Sequence, residues 1–213
     1  MPKLRRGLAR GNRDAYRRSI SYKPRIEVPF GYYHVVTRGN NKRRIYEDDW
    51  DRTIFLMMFN GVAHKYGWTI LAYVLMGNHY HFVIRLGACE NGLSRGMCEL
   101  NTGYAFEYNR RHGRINHLFG KRYWSRMLKT DAEILSACRY VVLNPVRAGL
   151  VDDPSLWVWS SYLATIGLAR AISCFDADAL LRLFGQTTRE AAIAEYTKFC
   201  DPVRFGPVRR QPP

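Results

Sequence analysis

The sequence predicts an α+β fold, an antiparallel sheet with packed helices, followed by a C-terminal helical extension. Three patterns predict it: short runs of β-branched and aromatic residues, longer segments with apolar residues at helical spacing, and a Gly77-Asn78 dipeptide between two of the apolar runs. That dipeptide suits the tight turn of a β-hairpin. At 213 residues, 47% of them hydrophobic, the chain can bury the core of one domain with an appendage.

The elements follow one another in an order that specifies the sheet. The first run, YYHVVTR, is a strand that Gly39 ends, and Phe55, Met58 and Val62 have the spacing of one helix face. Asp131 is the expected N-cap of the last core helix. The order β-α-β-β-α-β-α is the ferredoxin-like split pattern, with the helices expected on one face of the sheet. The predicted elements are strand 32–38, helix 48–66, strands 69–76 and 80–86, helix 93–111, strand 123–129 and helix 131–143.

Positive charge is concentrated in the first 150 residues. The chain carries 33 Lys and Arg against 18 Asp and Glu, a net charge of +15. Residues 1–150 hold 26 basic and 11 acidic side chains, whereas residues 151–203 hold 4 and 7. Such an excess indicates a polyanionic partner, for which nucleic acid and anionic membranes are the usual candidates.

The cellular location is predicted from what the sequence does not contain. No run of about 18 apolar residues could span a membrane, and no apolar run follows the basic N-terminus as in a signal peptide. The five scattered cysteines form no Cys-x-x-Cys motif and indicate buried free thiols in a reducing compartment. We therefore expect a cytoplasmic protein without a membrane partner.

Four parts are predicted along the chain. Residues 1–29 form a flexible basic arm with net charge +6 in its first 18 residues, which either contacts a polyanion or is only a solvated tail. Residues 30–150 form the folded core. Residues 151–203 contain the aromatic run WVWSSY, expected to pack back on the core, and two short helices at 177–184 and 189–200. Residues 204–213 form a basic tail, expected to be disordered.

The segment HYH at the start of the third strand places two imidazoles on one face. Side chains alternate along a strand, so His79 and His81 point one way and Tyr80 the other. Phe82 and Ile84 share the face of Tyr80, which predicts that this is the helix-packed face and that the histidine face is open. Two imidazoles about 7 Å apart can share a divalent ion, although surface histidines give the same pattern.

A tyrosine lies outside the apolar stripe of the last core helix. Tyr140 and Asn144 lie opposite that stripe and four residues apart, hence side by side. A nucleophile beside a metal ligand is one interpretation, and a half-exposed structural tyrosine beside a helix cap is the other. Pro145 disfavours the α conformation at Asn144, so the helix is expected to end there.

Residues 107–126 (EYNRRHGRINHLFGKRYWSR) interleave basic and aromatic side chains. Guanidinium groups bind phosphates and aromatic rings stack on unpaired bases, so this mixture favours single-stranded nucleic acid. We expect Phe119 and Trp124 to be partly buried. The predicted DNA-contacting residues are Arg38, Arg110, Arg111, Arg114, Lys121, Arg122, Tyr123 and Arg126.

Four blocks between about residues 31 and 162 resemble the single-tyrosine HUH transposases, in particular the REP-associated tyrosine transposases. The blocks are YVLMGNHYHFVI, NRRHGRINHLFGKRYWS, RYVVLNPVRAGL and WVWSSY. The resemblance implies that His79, His81 and Asn144 bind a divalent metal and that Tyr140 is the nucleophile. Tyr80 departs from the hydrophobic residue usual between the histidines. The arm and the region after residue 162 lie outside the resemblance.

The resemblance also implies an activity. The expected protein is a metal-dependent single-stranded DNA endonuclease and strand transferase that cuts near hairpins, forms a 5′-phosphotyrosine and frees a 3′-hydroxyl. Imidazole and oxygen ligands suit Mg²⁺ or Mn²⁺. The expected partner is single-stranded DNA with hairpins, and the protein is expected to be a monomer or homodimer. The alternatives are a catalytically silent, structure-specific DNA- or RNA-binding regulator, and a nickase of plasmid replication or transfer, which the short chain disfavours.

Overall fold

The computed structural model describes residues 27–203, so most of the predicted arm and all of the tail lie outside the described residues. The observed elements lie within a few residues of the predicted ones. A 3₁₀ turn (Asn40–Lys42) follows the first strand. The strands and α-helices are β1 (Tyr32–Arg38), α1 (Asp49–Tyr66), β2 (Thr69–Leu75), β3 (His79–Arg85), α2 (Gly92–His112), β4 (Trp124–Leu128), α3 (Asp131–Val142), α4 (Asn144–Arg147), α5 (Tyr162–Thr165), α6 (Ala177–Leu181) and α7 (Arg189–Phe199).

The four strands form one antiparallel sheet in the order β2-β3-β1-β4. β2 and β3 are joined at the predicted Gly77-Asn78 turn, where the Met76 amide donates to the His79 carbonyl at 2.8 Å. The pairing of β1 with β3 sets Arg38 opposite His79 and Val36 opposite His81. This topology is the predicted ferredoxin-like one, and it holds the histidine strand in the middle of the sheet.

Helices cover both faces of the sheet, so the prediction of helices on one face and an open histidine face is wrong. α1 and α2 pack on the face of Tyr80 and Phe82, as expected. α3 packs on the opposite face, where Val74 and Val83 join Val141 in a second apolar cluster. The physical reason lies in β2 and β3, whose apolar residues continue on both faces, as in strands buried on two sides.

The N-cap of α3 is Thr130, not the predicted Asp131. The Thr130 hydroxyl accepts a hydrogen bond from the Glu133 amide at 3.2 Å. The Glu133 carboxylate reaches back and accepts from the Lys129 amide at 2.6 Å. Threonine and glutamate three residues apart are the usual pair at a helix start, and Asp131 becomes the first helical residue.

The C-terminal extension packs on the core as predicted. The Leu75 amide donates to the Trp159 carbonyl at 2.9 Å, and the Ser161 amide donates to the Tyr73 carbonyl at 3.0 Å, so this segment covers the outer edge of β2. α6 packs on β2 and α7, and in α7 the Phe199 ring lies 5.5 Å from the guanidinium of Arg139 on α3. Leu181 and Tyr196 belong to the same apolar cluster as α3.

All five cysteines are free, and three of them are buried. Cys89 and Cys98 are exposed, so the expectation of buried thiols is wrong for these two, which lie in the loop before α2 and on its solvent side. Within residues 27–203, no helix is long and apolar enough to cross a membrane.

Candidate active site

The two predicted histidines and the predicted tyrosine lie together between the sheet and α3. The His79 and His81 rings are 5.0 Å apart, centroid to centroid, at 77°. Tyr140 extends from α3 toward the same place, and its ring lies 5.6 Å from that of His81. Packing of α3 on the histidine face produces this approach, which neither the strand nor the helix specifies by itself.

A third histidine, His34 on β1, completes the cluster and was not identified from the sequence. Its Nε2 lies 3.0 Å from Nδ1 of His81, and the two rings stack at 5.3 Å. The His34 ring also lies 5.7 Å from Tyr140 and is only 4% exposed. The strand YYHVVTR did contain a signal, because alternation places His34 and Val36 on one face of the sheet. The structure pairs Val36 with His81, which brings His34 to the same face as the histidine pair. The pairing itself could not be read from the sequence.

Asn144 and Arg147 lie beside Tyr140 on the short helix α4. The chain leaves α3 at Leu143 and continues as α4, so the predicted break before Pro145 is accommodated by two successive helices. The Asn144 amide donates to the Tyr140 carbonyl at 3.2 Å, and its side chain also bonds His79. The Arg147 guanidinium lies 4.6 Å from the centre of the Tyr140 ring. Asn144 thus has both a capping bond and a place next to the histidines.

Burial keeps the three imidazoles neutral near pH 7. Burial, with a smaller contribution from the charge of Arg126, lowers the pKa of His34 to about 4. Burial and then Arg38 lower the pKa of His79 to about 4. Burial holds the pKa of His81 well below its usual value, and the neighbouring His34 and His79 rings and two arginines lower it further. A neutral imidazole has a nitrogen lone pair that can bind a cation, so these histidines would not have to lose a proton before they bind a metal ion.

The donor set fits a divalent cation. Nδ1 of His79 bonds the Asn78 side chain at 2.6 Å and Nδ1 of His81 bonds His34, so each ring has an outer hydrogen bond at Nδ1 and a second nitrogen, Nε2, on its other side. Such outer hydrogen bonds commonly orient metal-binding histidines. Residues 27–203 contain no group of three or more His, Cys, Asp or Glu able to hold an ion. The Asn144 side chain, which bonds His79, is the amide group beside the two rings and the third ligand that the resemblance implies.

The predicted DNA-contacting arginines have different environments. Arg38 lies opposite His79, and Arg126 lies on β4 with its charge near His34. Arg110 pairs with Glu107 at 2.6 Å, and Arg111 pairs with Asp48 and Asp51. Arg114 donates to the Tyr108 hydroxyl at 3.2 Å, and Lys121 and Arg122 are exposed before β4. Arg38 and Arg126 therefore lie nearest the histidines, while Arg110 and Arg111 are engaged by carboxylates.

The aromatic residues of this segment are arranged differently from the prediction. The Tyr123 ring is 4% exposed, and its hydroxyl lies 3.0 Å from Ser94 Oγ, so this ring is not available to stack on a base. Trp124 is the exposed one, at 44%, although it was expected to be partly buried. Phe119 is partly buried as expected. The cause is strand alternation: Tyr123 and Trp124 are adjacent and point to opposite faces.

This fold and this site define an α+β domain in which a tyrosine on α3 lies next to a histidine pair on the sheet. More specifically, the chain belongs to the family of IS200-like transposases, whose model matches residues 28–143. A Haemophilus influenzae protein, provisionally described as a REP-associated tyrosine transposase, is 20% identical over 117 residues, 51% of this chain and 66% of that relative. The chain thus matches slightly less than two thirds of the length of that relative.

A solved structure has the same fold. The REP-associated tyrosine transposase bound to a REP hairpin superposes with a TM-score of 0.59 at 17% identity, over 74% of this chain and 93% of that one. At this identity the likeness shows the fold alone. The ferredoxin-like core is therefore shared with that structure.

Proposed function

We propose that the protein is a single-stranded DNA endonuclease and strand transferase of the REP-associated kind, with Tyr140 as nucleophile. One observation carries the proposal: the Tyr140 ring lies 5.6 Å from His81 and 5.7 Å from His34, within a cluster of neutral imidazoles. A purely structural tyrosine would not require three histidines and an arginine around it. Membership of a transposase family supports the same reaction class.

The proposed reaction is a transesterification at phosphorus. The Tyr140 phenol oxygen attacks the scissile phosphate, the bond to the 3′ oxygen breaks, the phenol loses a proton and the 3′ oxygen gains one. The 5′ phosphate stays on Tyr140, and attack by another 3′-hydroxyl reverses the step without ATP. A phenol has a pKa of about 10, so it needs assistance at neutral pH. A Mg²⁺ or Mn²⁺ ion held by His79, His81 and Asn144 would supply Lewis-acid stabilisation of the phosphate.

The surrounding residues position the reactants. Arg147 lies against the Tyr140 ring at 4.6 Å and restricts its orientation. Arg38, opposite His79, adds positive charge where the phosphate would lie. His34 bonds His81 and thereby fixes the orientation of that ring. These contacts hold the nucleophile and the metal ligands in one geometry before DNA binds.

The proposed substrate is single-stranded DNA that carries a hairpin. The net charge of +15 favours a polyanion, and an indole exposed beside the site can stack only on an unpaired base. A structural relative was solved with a REP hairpin bound, which supports the same type of substrate here.

The test is Tyr140→Phe, which removes one oxygen and preserves nearly all packing. Wild-type protein incubated with Mn²⁺ and end-labelled hairpin oligonucleotides should form an adduct that survives denaturing gels, with the label on the fragment 3′ of the cut. The variant should bind with similar affinity but form neither adduct nor cleaved strand, and EDTA should abolish both products for wild type. Cleavage by Tyr140→Phe would sink the assignment. A wild type that binds hairpins but cuts none of them would favour the silent regulator.

A further inference from the structure

Trp124 is exposed on the face of the sheet that carries the site. It is the first residue of β4, the edge strand that pairs with β1, and it lies opposite Val36. Its side chain is 44% exposed, whereas the preceding Tyr123 is buried. A large aromatic ring left half in solvent beside a functional site is a common feature of binding surfaces.

A single imidazole separates Trp124 from the proposed nucleophile. The Trp124 ring meets the His34 ring edge-on, with centroids 5.5 Å apart at 84°. The same His34 ring lies 5.7 Å from Tyr140. Trp124 and Tyr140 therefore contact the same imidazole, which places the indole close to the phosphate that Tyr140 would attack.

Two arginines lie next to the rings of His34 and Tyr140. Arg126 lies two residues further along β4 on the same strand face, pairs with Glu133 at 3.8 Å, and has its charge close to His34. Arg147 lies over Tyr140 on the other side of the site. Arginines that neutralise phosphates next to a ring that stacks on bases are the two components of a single-strand binding groove.

The other exposed Phe and Trp rings among residues 27–203 lie elsewhere. Trp50 belongs to α1 and Phe106 to α2, and both helices cover the opposite face of the sheet. Phe30 precedes β1 and lies under the Arg85 guanidinium at 5.4 Å. Trp124 is therefore the exposed ring next to the histidines in the described part of the chain.

We propose that Trp124 forms a nucleotide subsite, in which the indole stacks on an unpaired base next to the phosphate held at Tyr140. The inference rests on the proposed function, since it requires a single strand at the site. Stacking of one base on an aromatic side chain changes affinity roughly 5- to 100-fold. The competing role is structural: the indole could simply cover the edge of His34.

The experiment is a double-mutant cycle between the protein and the DNA. A hairpin oligonucleotide with a single-stranded flank is compared with a series in which each flanking nucleotide in turn is abasic. Affinities are measured by fluorescence anisotropy in EDTA, in the Tyr140→Phe background so that no strand is cut. The protein variants are Trp124→Ala, Trp124→Phe and, as a matched control, Trp50→Ala on the opposite side of the sheet.

We expect one abasic position to weaken binding roughly 5- to 100-fold, and Trp124→Ala to weaken binding of the intact strand by a similar factor. In the Trp124→Ala protein, the same abasic position should lower the affinity little further. Trp124→Phe should retain part of the affinity, and Trp50→Ala should bind as tightly as the Tyr140→Phe parent. Unchanged affinity of Trp124→Ala, an equal loss on every oligonucleotide, or no binding to any of them would overturn the subsite.

Failure of this subsite and failure of the proposed function give different results. Adduct formation by wild type without coupling at Trp124 would remove the subsite and leave the nuclease. Coupling at Trp124 with no adduct from wild type would keep the subsite and remove the nuclease.

Discussion

His34 is a buried polar residue whose surroundings make the stability of the protein depend on pH. It is 4% exposed, it bonds His81, and Arg126 adds unfavourable charge if the ring is protonated. Its pKa in the folded protein, about 4, lies below the usual 6.5 of an unfolded chain. The unfolded state therefore binds the proton more readily, so the stabilisation is complete above pH 6.5 and is lost as the pH falls toward 4.

We predict that the free energy of unfolding falls between pH 7 and pH 5, by on the order of 2 kcal/mol for His34 itself. His79 and His81 should also lower the free energy of unfolding as the pH falls, because burial lowers the pKa of both. Urea unfolding at the two pH values measures the change. The His34→Gln variant serves as comparison, because it should lose less stability over this interval than wild type. An equal loss in both proteins would contradict the assignment.

Helix α3 determines where the proposed nucleophile, Tyr140, lies. Its apolar stripe contains Ile134, Cys138 and Val141, which pack on the sheet, and Tyr140 projects from the side of that stripe toward the histidines. The helix starts at a threonine cap and ends where α4 begins. Its position on the sheet therefore depends on the cap, on the stripe and on the C-terminal helices that pack behind it.

Thr130→Ala should destabilise the protein by about 1 kcal/mol, because the Glu133 amide loses its hydrogen-bond acceptor. Asp131→Asn is the matched control: it keeps the shape of the side chain and removes only a favourable charge at the helix start, so its expected effect is a few tenths of a kcal/mol. Urea unfolding at pH 7 compares the two. If Asp131→Asn cost more than Thr130→Ala, Thr130 would not be the cap.

At the scale of the whole molecule, charge is divided between parts of the chain. Residues 1–150 carry the excess of basic side chains, whereas residues 151–203, which cover the outer edge of β2 and pack behind α3, are slightly acidic. A strand edge covered in this way is protected from pairing with other chains. The acidic extension thus contributes to the fold, and the basic part carries the positive charge that the proposed DNA substrate requires.

We predict that deletion of residues 1–22 weakens DNA binding without stopping adduct formation, since the site residues all lie downstream. The first 18 residues carry a net charge of +6, and each phosphate they neutralise releases counterions. A plot of log affinity against log salt concentration should therefore be shallower for the truncated protein. An unchanged slope, with unchanged thermal unfolding, would show that the arm does not contact DNA.

The sequence by itself determined the elements and part of the site. Period-2 and helical patterns located the strands and helices, the Gly77-Asn78 turn located the hairpin, and strand alternation placed His79 and His81 on one face. The helical spacing of the apolar residues in α3 showed that Tyr140 lies outside the apolar stripe of that helix. These features depend on residues close together in the chain, so local periodicity is sufficient to find them.

Only the tertiary structure decided which surfaces meet. The sequence could not show that α3 crosses the histidine face, because strands apolar on both sides leave the covered face ambiguous. It could not bring His34 to His81 or choose Trp124 over Tyr123 as the exposed ring. A shift of one residue in strand pairing would bury Trp124 and expose Tyr123 instead. The pairing is determined by packing between segments that lie far apart in the chain.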